Sequence, residues 1–122
     1  MSRVLVIDDE EGLCSAIQRI LESEHEVETV NSAAAALAVL KSAAPFDLIL
    51  CDLMMPEMTG MDLHAALAQS QPDLAAKMIF MTGGAFTEHA SRFLEQHPGR
   101  SLDKPFKPSG LRERVRSLVG AA

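Results

Sequence analysis

The chain has 122 residues, 48% of them apolar, with a formal charge of -6 and two cysteines. That length suits one domain, residues 1–122, with a single core that needs neither disulfide nor structural metal. The apolar content excludes a disordered tail, no apolar run approaches the length that spans a bilayer, and the acidic balance argues against binding nucleic acid directly, which needs clustered Lys and Arg.

Met1 to Asp9 carry one arginine and a short apolar run, without the basic region, long apolar core and cleavage site of a secretory signal. A cytoplasmic domain with no membrane insertion is therefore expected, and Cys14 and Cys51 are expected to be reduced thiols, one of them in the core. The first apolar run, Val4 to Ile7, is continuous and β-branched, as in a strand buried on both faces of a parallel sheet, and it stops at Asp8. Leu13, Ala16, Ile17, Ile20 and Leu21 then recur at helical spacing. Glu26 to Val30 alternate charged and apolar positions, which suits an edge strand. Asn31 or Ser32 can cap a second helix that runs through the alanine-rich stretch to Lys41 and is closed by Pro45.

Leu48 to Cys51 predict a third, buried strand that ends at Asp52. After a loop with Pro56 and Gly60 come a helix from about Met61 to Gln69 and a fourth strand, Met78 to Met81, that ends at Thr82. Thr87 can cap a helix to about His97, a weak fifth strand falls near Arg100 to Asp103 before Lys104, and Ser109 can cap a last helix whose buried side is Leu111, Val115, Leu118 and Val119. Arg112, Arg114 and Arg116 lie on that helix at alternate positions, which do not share a face, so they read as solvated. Five strands alternating with five helices predict an α/β, doubly wound parallel sheet with helices on both faces.

Such sheets bind ligands at the carboxyl ends of their strands, beside the point where strand order reverses. Asp8, Asp9, Asp52, Thr82 and Lys104 all fall at such ends. Three neighbouring carboxylates repel one another unless a cation joins them, and magnesium is the hard ion that takes carboxylates while leaving room for phosphate oxygens. A carboxylate beside magnesium can attack phosphorus if the incoming charge is neutralised, for which Lys104 offers a point charge and Thr82 a hydroxyl. Asp47, Asp62, Asp73 and Asp103 read instead as cap or loop acids. Methionines 54, 55, 58, 61, 78 and 81 read as core and loop filler, and His25, His64, His89 and His97, which lack ligand spacing, as surface residues.

Four segments together, VLVIDDE from Val4, DLILCDLMMPEMTG from Asp47, MIFMT from Met78 and Lys104-Pro105-Phe106, resemble the response-regulator receivers of two-component signalling over the whole chain. The resemblance implies a strand order of 2-1-3-4-5 and a cis peptide before Pro105. It implies Asp52 as phosphoacceptor, with Asp8, Asp9, Asp52 and the backbone carbonyl of Met54 around Mg2+, Asp8 mostly through water. Thr82 and Lys104 become the phosphoryl partners. The implied donor is a sensor histidine kinase or a histidine phosphotransfer protein, docking on the first helix and the loop after Lys104, with a phosphorylation-dependent dimer as a further option. Beyond self-catalysed phosphotransfer and autodephosphorylation, no enzyme activity is implied. Gly83 to Phe86 (GGAF), with Phe93-Leu94 beyond, is similar to the C-terminal receivers of hybrid sensor kinases, so a free-standing domain and one cut from such a kinase both fit.

Ser101 stands where receivers commonly place an aromatic residue that turns inward on phosphorylation. Two rivals fit less well. A phosphohydrolase with an aspartate nucleophile typically has a second acid two residues on, where this chain has Met54, and a cap domain for which no length remains. A degenerate binding module is disfavoured by the complete set of Asp, Thr and Lys.

Overall fold

The computed structural model describes residues 2–42, 45–83 and 87–120. Gly84, Ala85 and Phe86, on which part of the likeness to hybrid-kinase receivers rests, lie outside them. Strands β1 (Ser2–Ile7), β2 (His25–Val30), β3 (Leu48–Asp52), β4 (Met78–Thr82) and β5 (Ser101–Asp103) form one sheet in the order β2-β1-β3-β4-β5, every pair parallel. Helices α1 (Glu11–Leu21), α2 (Ala33–Ser42), α3 (Gly60–Ser70), α4 (Pro72–Ala75) and α5 (Glu88–Gln96) make the crossovers, and α6 (Pro108–Gly120) follows the last strand. This is the doubly wound α/β fold expected from the pattern, with one helical segment more: α4 is a single turn started by Pro72, a residue whose fixed φ suits the first helical position.

Period-two geometry splits the core between two faces. Val4, Val6, Leu48, Leu50, Ile79 and Met81 meet Cys14, Ile17 and Leu21 of α1 and Leu111 and Val115 of α6. Leu5, Ile7, Ile49, Cys51, Met78 and Phe80 point the other way, against α2, α3, α4 and Ala90 of α5. From Val4 to Ile7, Leu48 to Cys51 and Met78 to Met81, strands β1, β3 and β4 are thus apolar without interruption because both of their faces are covered. Both cysteines are free and buried, and burial raises each thiol pKa, that of Cys14 to about 11.

Local chemistry sets the helix starts. The Ser32 hydroxyl accepts from the backbone N–H of Ala35, so Ser32 is the cap, while the Asn31 amide donates to the backbone oxygen of Asp8. Thr59 and Asp62 form a reciprocal capping box for α3, and Thr87 caps α5. Ser109 does not cap α6: the helix begins at Pro108, one residue earlier, and the first turn closes from Leu111 N–H onto the Lys107 carbonyl. The surface reading of the histidines holds for His89 alone. His25 is buried at the start of β2, and His64 and His97 are half-buried because both pack on Phe93. Of the three arginines of α6, Arg116 grips Glu24 with two hydrogen bonds of 2.6 and 2.8 Å, and Arg114 donates to the Gly99 carbonyl.

Candidate functional site

Register brings the chemistry together one strand at a time. Ile7 stands beside Cys51, so Asp8 falls next to Asp52; Asp52 stands beside Met81, so Thr82 lies one step further; and Thr82 is level with Asp103, whose successor is Lys104. The chain leaves β1 for β2 on one side and returns to β3 on the other, and the acids occupy the gap that this reversal opens. Asp8, Asp9 and Asp52 each offer a carboxylate oxygen within 4.8 Å of the others. Among the described residues this is the one group of three or more acids, histidines or cysteines close enough to share a metal ion.

Their environments differ. Asp8 is fully buried: one oxygen accepts from the Glu10 backbone N–H at 2.9 Å and the other from the Lys104 ammonium at 3.0 Å. Asp9 is exposed and Asp52 half-buried. Lys104 also lies 3.3 Å from Asp52 Oδ1, so one cation serves two carboxylates. Burial, then the charge of Asp8, holds the Asp52 carboxyl above its ordinary pKa against the pull of Lys104. Burial alone would lower the Lys104 ammonium, but its hydrogen bond to Asp8 and the charges of Asp52 and Asp8 outweigh that, and it stays above its ordinary range.

Three carboxylates against one ammonium leave a surplus of negative charge, offered by oxygens alone. The nearest thiol, Cys51, is buried, points to the Asp52 carbonyl and holds its proton, because burial raises its pKa. A hard divalent cation such as magnesium fits this donor set and a soft one does not. Met54, whose carbonyl was expected to complete the site, has an exposed side chain at the rim, the one large apolar residue so exposed among the described residues. It lines a shallow cavity of about 320 Å³ with Glu10, Asp52, Thr82, Gly83 and Lys104, space enough for a phosphoryl group.

Thr82 shares this cavity but its hydroxyl does not face Asp52: it donates to Asp103 Oδ1 at 3.2 Å. Glu10 was not singled out in the sequence and Asp103 was read there as a cap or loop acid, since a third acid after Asp8-Asp9 and an acid before lysine look like ordinary loop charges. Gly60 has a local task that its loop position concealed. A Cβ there would stand 2.6 Å from the Asp52 backbone oxygen, and the Gly60 N–H bonds the Leu53 carbonyl at 2.9 Å, so α3 starts directly against the strand end that carries Asp52. Lys104-Pro105 is cis, as expected.

A parallel sheet in this order, with paired acids and a lysine at its switch point, is the arrangement expected of a signalling receiver. The family model of the response regulator receiver domain matches residues 4–116, and the chain belongs to that family. It is 31% identical over 118 residues to the DNA-binding response regulator MtrA of Mycobacterium tuberculosis, covering 96% of this chain and 50% of that protein. The chain thus spans about half the length of the curated relatives it matches. Among solved structures, a CheY-like response regulator receiver domain protein from Methanospirillum hungatei superposes with a TM-score of 0.85 at 28% identity, over 99% of this chain and 95% of that one. The signal receiver domain of a signal transduction histidine kinase from Syntrophus aciditrophicus gives 0.81 at 27% identity, over 100% and 92%. The domain therefore works in two-component signalling. None of its described helices is long and apolar enough to cross a membrane.

Proposed function

We propose that this domain accepts a phosphoryl group from a phosphohistidine onto Asp52 in a magnesium-dependent reaction, the whole of residues 1–122 acting as one receiver. The reading is carried by one observation: three carboxylates share a space 4.8 Å across while a single lysine bridges two of them. Asp8, Asp9, Asp52 and the Met54 carbonyl are the residues that would hold the ion. When bound, magnesium supplies charge neutralisation between the carboxylates and the phosphoryl oxygens.

The remaining steps belong to the chain. An Asp52 oxygen attacks phosphorus, the O–P bond forms as the N–P bond breaks, and the donor imidazole leaves, taking a proton from solvent. Lys104 is already placed to follow the charge from the Asp52 carboxylate onto the phosphoryl oxygens. Thr82 turns its hydroxyl to a second oxygen, and that movement starts the change in protein contacts. A sensor histidine kinase or histidine phosphotransfer protein is the donor, and no nucleic acid is contacted by this domain. The likeness to a histidine kinase's receiver supports a place in a phosphorelay, free-standing or within a hybrid kinase.

The test is incubation with acetyl phosphate and magnesium, read by intact mass. We expect an added phosphoryl mass on wild type, lost with EDTA and with Asp52→Ala. Labelling of Asp52→Ala to the wild-type level would sink the assignment.

A further inference from the structure

We infer that Asp103 is a positioning residue that holds Thr82 in its resting orientation, competing with the phosphoryl group for one hydroxyl proton. This rests on the reading of Asp52 as acceptor and adds a residue to which no role has been given. Thr82 is 3% exposed, and a buried hydroxyl without a partner is costly, so its orientation follows whichever acceptor is within reach. The acceptor in the structure is Asp103 Oδ1 at 3.2 Å.

Parallel register makes the pairing unavoidable. Thr82 and Asp103 are level on neighbouring strands, so both side chains project from the same side of the sheet. The next residue, Lys104, instead sends its ammonium to Asp8 and Asp52. Two adjacent residues at the end of β5 thus act on the site with opposite effect: Lys104 faces the acceptor, and Asp103 draws the hydroxyl away from it. Asp103 is exposed, so when Thr82 turns to a phosphoryl oxygen the freed carboxylate is satisfied by water, and the exchange is reversible at modest cost. The hold also occupies the place of the missing aromatic coupling. Ser101 cannot report on Thr82 by packing, whereas Asp103 senses it through a hydrogen bond.

Beryllofluoride with magnesium serves as the probe, its affinity measured by titration for wild type, Asp103→Ala, Asp103→Asn, Thr82→Val and the double variant Thr82→Val/Asp103→Ala. Asp103→Ala should bind about fivefold to tenfold tighter than wild type, the ratio expected for loss of one competing, partly screened hydrogen bond to a carboxylate. Asp103→Asn, which keeps an acceptor oxygen, should fall between them. In the Thr82→Val background, which lacks the hydroxyl, Asp103→Ala should change nothing, an outcome that a general effect of charge or folding would not give.

A second measurement needs no ligand: three-bond couplings to the Thr82 methyl carbon should report one rotamer in wild type and averaging in Asp103→Ala. If wild type binds beryllofluoride but Asp103→Ala binds equally and leaves the rotamer unchanged, the hold is refuted and the acceptor reading stands. If wild type does not bind, the acceptor reading fails and the competition fails with it.

Discussion

Replacing Asp52 by asparagine should stabilise the metal-free protein while abolishing its function. Asp52 feels two carboxylates within 4.8 Å and one ammonium at 3.3 Å. At an effective dielectric of about 20, each repulsion is worth about 3 kcal/mol and the attraction about 5, which leaves a small net cost before desolvation is added. Screening of the exposed Asp9 cuts that repulsion, but the burial of the Asp52 carboxylate, the largest of the effects on it, more than restores the cost, so removing the charge should gain about 1–2 kcal/mol, roughly 4–8 °C in melting temperature for a domain of this size. The pH dependence has a definite sign. With the folded pKa of Asp52 raised above the ordinary value of 3.8, the unfolded chain ionises first as pH rises, so wild type loses stability across that interval and the loss is complete at neutral pH. The advantage of Asp52→Asn should therefore be present at pH 7.5 in EDTA and vanish near pH 4, and magnesium should raise the melting temperature of wild type more than that of the variant. Circular-dichroism melts measure this, with Glu95→Gln at an exposed site as the control for net charge. A variant no more stable than wild type in EDTA would refute the electrostatic account.

Three further outcomes are expected. Gly60→Ala forces a methyl to within 2.6 Å of the Asp52 carbonyl, and should cost about 1–3 kcal/mol in urea unfolding and slow labelling by acetyl phosphate, because the strand end must shift. Glu57 has φ 68° at the centre of a tight turn closed from Met58 N–H to the Pro56 carbonyl, so Glu57→Gly should be neutral or stabilising by up to about 1 kcal/mol in the same assay. His64 is held below its ordinary pKa of 6.5, first by burial and then by His97 and Arg100, so the unfolded chain takes up the proton first as pH falls. Stability should decline as pH drops below about 6.5, and His64→Gln should lose that part of the slope in melts recorded across this range.

The fold could be read from the sequence because its strands are buried on both faces: Val4 to Ile7 and Leu48 to Cys51 permit no polar residue until the strand leaves the core, so the first polar residue marks the carboxyl end. The same logic put Asp8, Asp52 and Thr82 at one edge before any distance was known. What escaped detection depended on three-dimensional neighbours rather than on periodicity. His25 opens an edge strand of alternating character, yet is only 7% exposed. Asp103 resembled any acid at a strand end, and only the level pairing of β4 with β5 gives it Thr82 as a partner. Asn31 and Ser32 were equivalent cap candidates in the sequence, and the choice fell to Ser32 because the Asn31 amide is drawn to the Asp8 carbonyl.

The ammonium of Lys104 ties the end of the first strand to the end of the last across 96 positions of chain. A phosphoryl group that recruits this cation takes it from a bond already made, so loading the site exchanges an internal tie for an external one. The thermal gain on phosphorylation should then be smaller than the number of new contacts suggests, and the strand ends should loosen at the moment the signal arrives.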